Sequence, residues 1–146
     1  MIAFRPMQPD DRKFVISNWS SSFRVSTYAG MISNATWATV MHAEIGALID
    51  RPSTMVIVGW EPDEKDHLGR DFLYGFVAAR RGDPYVHYCY VKHDYRKRGF
   101  ARRLLEAAGV DPDGRFSYSF RTSVLADLAG KMPRAVWEPV STKEGM

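Results

Sequence analysis

Residues 91–105 read VKHDYRKRGFARRLL. The end of an apolar strand runs through a short basic turn, Arg96 to Ala101, directly into an amphipathic helix marked by Leu104 and Leu105. The first turn of a helix carries unpaired backbone N–H groups and the positive end of its dipole, so this arrangement can seat an anion. Gly99 and Ala101 are small enough to let phosphates approach the main chain. Six of the chain's 20 Lys and Arg lie in residues 92–103, against one of its 17 Asp and Glu. The segment is therefore +5 on a slightly acidic body, which favours a localised phosphate-bearing ligand. The same run also describes a solvated, arginine-rich helix start.

Outward from this segment, Tyr85–Val91 reads as a strand with Val86, Tyr88 and Tyr90 on one face and Tyr85, His87, Cys89 and Val91 on the other. Asp71–Arg80 is a second strand, and the turn residues Arg81, Gly82, Asp83 and Pro84 join the two as an antiparallel hairpin. Thr54–Trp60 is a β-branched strand, followed by a charged loop over Glu61–Arg70. Nearer the start, Ile2–Arg5 is a short strand. Pro9 and Asp10 then open a helix whose apolar face includes Phe14, Val15, Trp19 and Phe23. Arg24–Asn34 reads as a loop and Ala35–Asp50 as a second helix with Trp37, Val40, Met41, Ile45, Leu48 and Ile49 at helical intervals. Beyond the helix opened by Gly99, residues 109–114 form a stop, Arg115–Phe120 a strand, Thr122–Ala129 a short helix and Ala135–Glu138 a last strand. A polar tail covers 139–146. The order is β-α-α-β-β-β-α-β-α-β, an α/β (α+β) chain with no repeat and no linker.

The 146 residues, 45% hydrophobic and 25% charged, fit one domain spanning 1–146. A lone cysteine, Cys89, excludes an internal disulfide, and Arg5, Asp10 and Asp11 stand where a signal peptide needs apolar residues, so a cytoplasmic setting is expected. The longest apolar run, Met55–Val58, is far short of the ~20 residues a membrane span needs. The histidines at 42, 67, 87 and 93 show no metal-ligand spacing, and no metal is expected. Neither a Walker loop nor a GxSxG elbow is present.

Arg96, Lys97, Arg98, Gly99, Phe100 and Ala101 resemble the acyl-CoA signature of the GCN5-related N-acetyltransferases (GNAT): Arg or Gln, two residues, Gly, one residue, then Gly or Ala. Tyr90 and Val91 close the strand before it, and Leu104 and Leu105 stand on the helix after it. The element order is also similar to that fold, a mixed, mostly antiparallel central sheet flanked by helices. The resemblance implies acetyl-CoA as co-substrate and an amine as acceptor. Backbone amides from Lys97 to Arg102 would hold the pyrophosphate, and the carbonyl and amide of Val91 would pair with the pantetheine arm. Arg96 would back the loop, and Arg102 or Arg103 would reach the 3′-phosphate. Trp19 to Arg24 (WSSSFR) and Val86 to Lys92 (VHYCYVK), with His42, resemble small acetyltransferase-like proteins of phage genomes. That likeness implies a phage or prophage origin and residence in the host cytoplasm.

Acyl transfer to an amine needs a base for the attacking nitrogen and an acid for the departing thiolate. His87 is the candidate base: some amine-acetylating members of the family carry a histidine at this distance before the glycine, and an ordinary imidazole pKa of ~6.5 suits neutral pH. It reads equally as a histidine hydrogen-bonded in the sheet or stacked among Tyr85, Tyr88 and Tyr90. The family's acid is a tyrosine in the helix after the next strand, and Thr122–Gly130 contains none. Tyr118, Ser119 and Ser123 are the nearest hydroxyls. The first two helices and their loop form the acceptor side in this fold, which nominates Trp19, Ser22, Arg24, Tyr28, Trp37 and His42, although both tryptophans also suit a core. Two other readings compete. One is a nucleic-acid-binding or DNA-base-modifying phage protein, whose backbone contacts would weaken steeply with salt. The other is a non-catalytic acyl-CoA-binding interaction protein, suggested by the missing tyrosine. The short C-terminal segment is expected to leave the final strand pair incomplete, an edge that a homodimer partner could complete.

Overall fold

The computed structural model describes residues 2–23, 34–82, 85–96, 98–118 and 135–137. Strand β1 (Ala3–Pro6) leads through a short 3₁₀ turn, Pro9–Asp11, to helices α1 (Arg12–Phe23) and α2 (Asn34–Ile49). Strands β2 (Thr54–Lys65), β3 (Asp71–Arg80) and β4 (Tyr85–Val91) follow, then α3 (Phe100–Ala107), β5 (Phe116–Tyr118) and β6 (Ala135–Trp137). The strands form one sheet in chain order; β1 to β4 are antiparallel neighbours, and β4–β5 and β5–β6 are parallel. The α/β class and the mostly antiparallel sheet match expectation. The expected helix over 122–129 lies outside the described residues.

The central strands are apolar on both faces because helices cover both faces. On one side Val56, Val58, Phe76 and Tyr88 pack against Val15 and Trp19 of α1 and Ile45 and Ile49 of α2. On the other, Ile57, Val77, Cys89 and Val91 pack against Leu104 and Leu105 of α3. Burying each of those leucines stabilises the fold by about 1.5–3 kcal/mol, which anchors α3 across the end of β4. Cys89 is fully buried, and burial pushes its thiol up to about 12. Thiolate is the reactive form, so a thiol-labelling reagent is expected to leave the native protein unmodified and to react stoichiometrically once denaturant is added. Rapid native labelling would show that β4 is open.

Two expectations are corrected. The β3–β4 register runs from Ala78↔Tyr88 to Ala79↔Val86, so His87 is an extra residue on β4, a β-bulge. The bulge reverses the facing on either side of it: Val86 joins Cys89 and Val91 beneath α3, while Tyr88 and Tyr90 face α1. A single alternation along 85–91 is therefore wrong. β2 also continues past Trp60 to Lys65 instead of ending in a loop. The β2–β3 pairing skips from Glu61↔Phe72 to Lys65↔Asp71, which leaves Pro62 in the irregular stretch where no ladder donor is required. A Lys65–Asp71 ion pair at 2.6 Å and the Asp66 carboxylate, which accepts from the backbone N–H of Leu68 and Arg70, close this ribbon.

Candidate active site

The described part of β5 pairs only with the first two residues of β4, Tyr85↔Ser117 and Val86↔Tyr118. From Cys89 to Val91 that edge of β4 has no strand partner among the described residues. At the far end, Gly75 of β3 stands opposite Val91, so close that a Cβ on it would lie 2.1 Å from the carbonyl oxygen of Tyr90. Only glycine permits that approach.

Past Val91 the chain is tied down before it reaches α3. The Lys92 N–H donates to the Tyr74 carbonyl at 2.7 Å, a 3₁₀ turn spans His93–Tyr95, and the Arg96 Nε–H donates to the Val91 carbonyl at 2.8 Å. Arg96 thus backs the turn. The Val91 carbonyl has a second lone pair, so this bond does not prevent it from accepting another. Gly99 caps α3 with φ at +81°, a conformation glycine adopts without strain. No side chain caps this helix start, its first turn holds no acid, and a Cβ at Gly99 would have no atom within 4 Å. The dipole of this helix start is therefore uncompensated among the described residues, and its donor set fits a pyrophosphate.

The cations around this seat divide by geometry. Arg98 lies over the Tyr95 ring at 5.8 Å and Arg103 over Phe4 at 5.2 Å. Arg102 is paired with Asp113 at 2.8 Å, and that hydrogen bond raises its already high pKa. Lys92 turns to the α1 side, its ammonium 4.2 Å from the Phe72 centroid and 5.6 Å from that of Phe14. The basic run is therefore not a single patch. Lys97 lies outside the described residues.

His87 is buried, with Tyr85 edge-on at 5.2 Å. Tyr118, also buried, pairs with Val86 and so stands beside the bulge. The fold thus brings His87 and Tyr118 together at the start of β4 and sets the loop at its other end; Ser119 and Ser123 lie outside the described residues. Tyr90 is half-buried and stacks on Phe76, so its ring faces α1 and its backbone alone lies on the open edge. Phe100 packs near Tyr74 and Tyr95, and Ala101 against the core under α3.

On the acceptor side Trp19 is corrected from pocket wall to core: it is 1% exposed and stacked on Tyr88 at 5.2 Å. Its buried indole N–H has no hydrogen-bond partner among the described residues. His42 is exposed on α2. Arg24 and Tyr28 lie outside the described residues, as do the side chains of Ser22 and Trp37. Gly75 is the site residue that sequence reading missed. Its signal was a glycine inside an otherwise apolar strand.

A profile of the Acetyltransferase (GNAT) family matches residues 17–108, which include β4, the Arg96–Ala101 turn and α3. The chain belongs to the GNAT acetyltransferase family. Solved structures agree in fold with this GNAT assignment. PaiA N-acetyltransferase from Thermoplasma acidophilum, solved with coenzyme A, is 18% identical over 75% of this chain and 70% of its own, at a TM-score of 0.50. A candidate acetyl transferase from Pyrococcus furiosus is 13% identical over 99% of this chain and 86% of its own, at 0.55. A candidate GNAT family acetyltransferase from Staphylococcus aureus is 11% identical over 94% of this chain and 98% of its own, at 0.52. No curated protein matches the sequence significantly. Among the described residues no cluster of His, Cys, Asp or Glu could hold a metal ion, and no helix is long and apolar enough to cross a membrane.

Proposed function

We propose that this GNAT protein transfers the acetyl group of acetyl-CoA to the nitrogen of an amine. The observation that carries the reading is the start of α3 behind Gly99, which follows directly on β4 and has no side-chain cap among the described residues and no acid in its first turn. In this reading the first-turn N–H groups of α3 hold the pyrophosphate and the β4 edge at Val91 aligns the pantetheine arm. Arg98 and Arg103 balance the phosphate charge. The acyl donor supplies an activated thioester. The amine nitrogen bonds to its carbonyl carbon, the carbon–sulfur bond breaks, and the nitrogen's proton passes to His87, directly or through water. Tyr118 or Ser123 returns a proton to the thiolate. A reducing cytoplasm, that of the host where the gene is phage-borne, suits a chain whose one thiol is buried. The primary test is calorimetric titration with acetyl-CoA beside dephospho-CoA. Binding that weakens without the 3′-phosphate supports the seat, and no binding to either overturns it.

His87→Gln and His87→Ala are expected to lower turnover on a confirmed amine by about 10²–10⁴-fold, the usual range for general-base catalysis, with acetyl-CoA affinity nearly unchanged. Unaltered rates across the pH range would remove His87 from the mechanism.

A further inference from the structure

A cavity of about 570 Å³ opens on the α1 face of the sheet, between the start of α1 and the β2–β3 turn. Its volume is that of a small-molecule site, and none of the residues given a role in acetyl transfer lines it. Lys92, at its wall, is five residues along the chain from His87, about 16 Å at the rise of a strand. Between them α1 closes the face: Phe14 packs edge-on against Tyr90, and Trp19 is stacked on Tyr88. The cavity is separate from the proposed reaction site, and Val91 and Lys92 face opposite sides of the sheet.

The charges lining it sort into paired and unpaired groups. The Arg5 guanidinium is held by Asp11 and by Asp71, and Arg70 is held by Asp66 at 2.9 Å. Lys92 and Lys13 have no carboxylate partner among the described residues. One carboxylate of the lining, Asp10, likewise has no cation partner there; the lining as a whole is neutral, and Lys65 outside it shares Asp71 with Arg5, which leaves Lys92 and Lys13 without a counter-charge of their own. Lys92 is the informative group. A lysine at a surface normally extends into water, where its ammonium is best solvated. This one is half-buried and held against the Phe72 and Phe14 rings at the cavity wall. Ring faces recover only part of the hydration that a cation gives up, and the missing complement is an anion.

We infer that this cavity binds a small organic oxyanion, a carboxylate or phosphate monoester, through the Lys92 ammonium, with the apolar body of the ligand against Phe14. Lys13, at the exposed rim, adds to the attraction for negative charge. The inference does not depend on acetyl transfer: the site stands on the opposite side of β4 from the proposed pyrophosphate seat, and its occupancy can be measured with that seat filled or empty.

The test is calorimetric titration of the full chain with phenyl phosphate, phenylacetate and uncharged benzyl alcohol, each with and without saturating coenzyme A. The expected result is binding of one or both anions and not of the alcohol, undiminished by coenzyme A. The two anion arms distinguish phosphate from carboxylate. Lys92→Met, which keeps the apolar stem and removes the charge, is expected to weaken the anion roughly tenfold or more. Lys92→Arg retains binding, and neither variant changes coenzyme A affinity. The inference is overturned if neither anion binds, if Lys92→Met binds as well as wild type while remaining folded by circular dichroism, or if coenzyme A displaces the anion. If Lys92→Met does not fold, Lys92→Gln takes its place under the same criteria.

Discussion

Gly99→Glu is expected to abolish measurable binding of acetyl-CoA. Three effects act together. At φ +81° any L-residue sits in the left-handed region, at a cost of about 1–2 kcal/mol. The new carboxylate stands at the positive end of the α3 dipole, where it would cap the helix itself and repel an incoming phosphate. Its bulk also fills the open space in front of the first-turn N–H groups. Gly99→Ala separates these effects, since it carries the backbone cost without the charge and most of the bulk: it is expected to lower stability by about 1–2 kcal/mol while acetyl-CoA binding stays measurable. Titration of both variants, with thermal unfolding to confirm a folded chain, checks the result. Wild-type affinity in folded Gly99→Glu would mean the pyrophosphate is not held at the start of α3.

Gly75→Ala is expected to have the largest effect on stability of the glycine-to-alanine changes among the described residues. The added Cβ would lie 2.1 Å from the Tyr90 carbonyl oxygen and 3.0 Å from the Val91 Cα. Both are backbone atoms of a strand held on both faces, so no flexible side chain can yield. Overpacking of this kind costs about 1–3 kcal/mol or more, which lowers Tm by about 2–12 °C in a domain of this size. If β4 moves instead, the edge at Val91 shifts and acetyl-CoA affinity falls with stability. Calorimetric unfolding and ligand titration read the two effects. A variant with wild-type Tm and affinity would show that β3 and β4 do not approach this closely.

The strands β3 and β4 were legible in the sequence to the residue, because Phe72–Ala79 and Tyr85–Val91 are bounded by charged and turn-forming residues. The turn from Arg96 into α3 was equally plain, since a basic, glycine-containing break before a Leu-Leu helix has few other readings. The bulge at His87 was hidden because β4 is buried on both faces: when aromatic and aliphatic residues occupy every position, an inserted residue leaves no break in the pattern. The extension of β2 was hidden for the opposite reason. Pro62 and the charges of residues 61–65 match loop composition, and only the tertiary pairing of Lys65 with Asp71 makes them strand. The side to which Lys92 turns was not readable either, since charge counted along a chain does not show which face each cation occupies.

The sheet order has a kinetic corollary. β1 pairs with β2 across the two helices, but β2, β3 and β4 are successive hairpin neighbours whose contacts are local in sequence, and such contacts form early because little chain must be closed. β4 meets β5 only through a parallel crossover that includes α3, a longer closure. Newly made chains therefore assemble the β2–β4 meander first and its junction with β5 late. The candidate base His87, beside that junction, becomes fully enclosed only after the meander has formed.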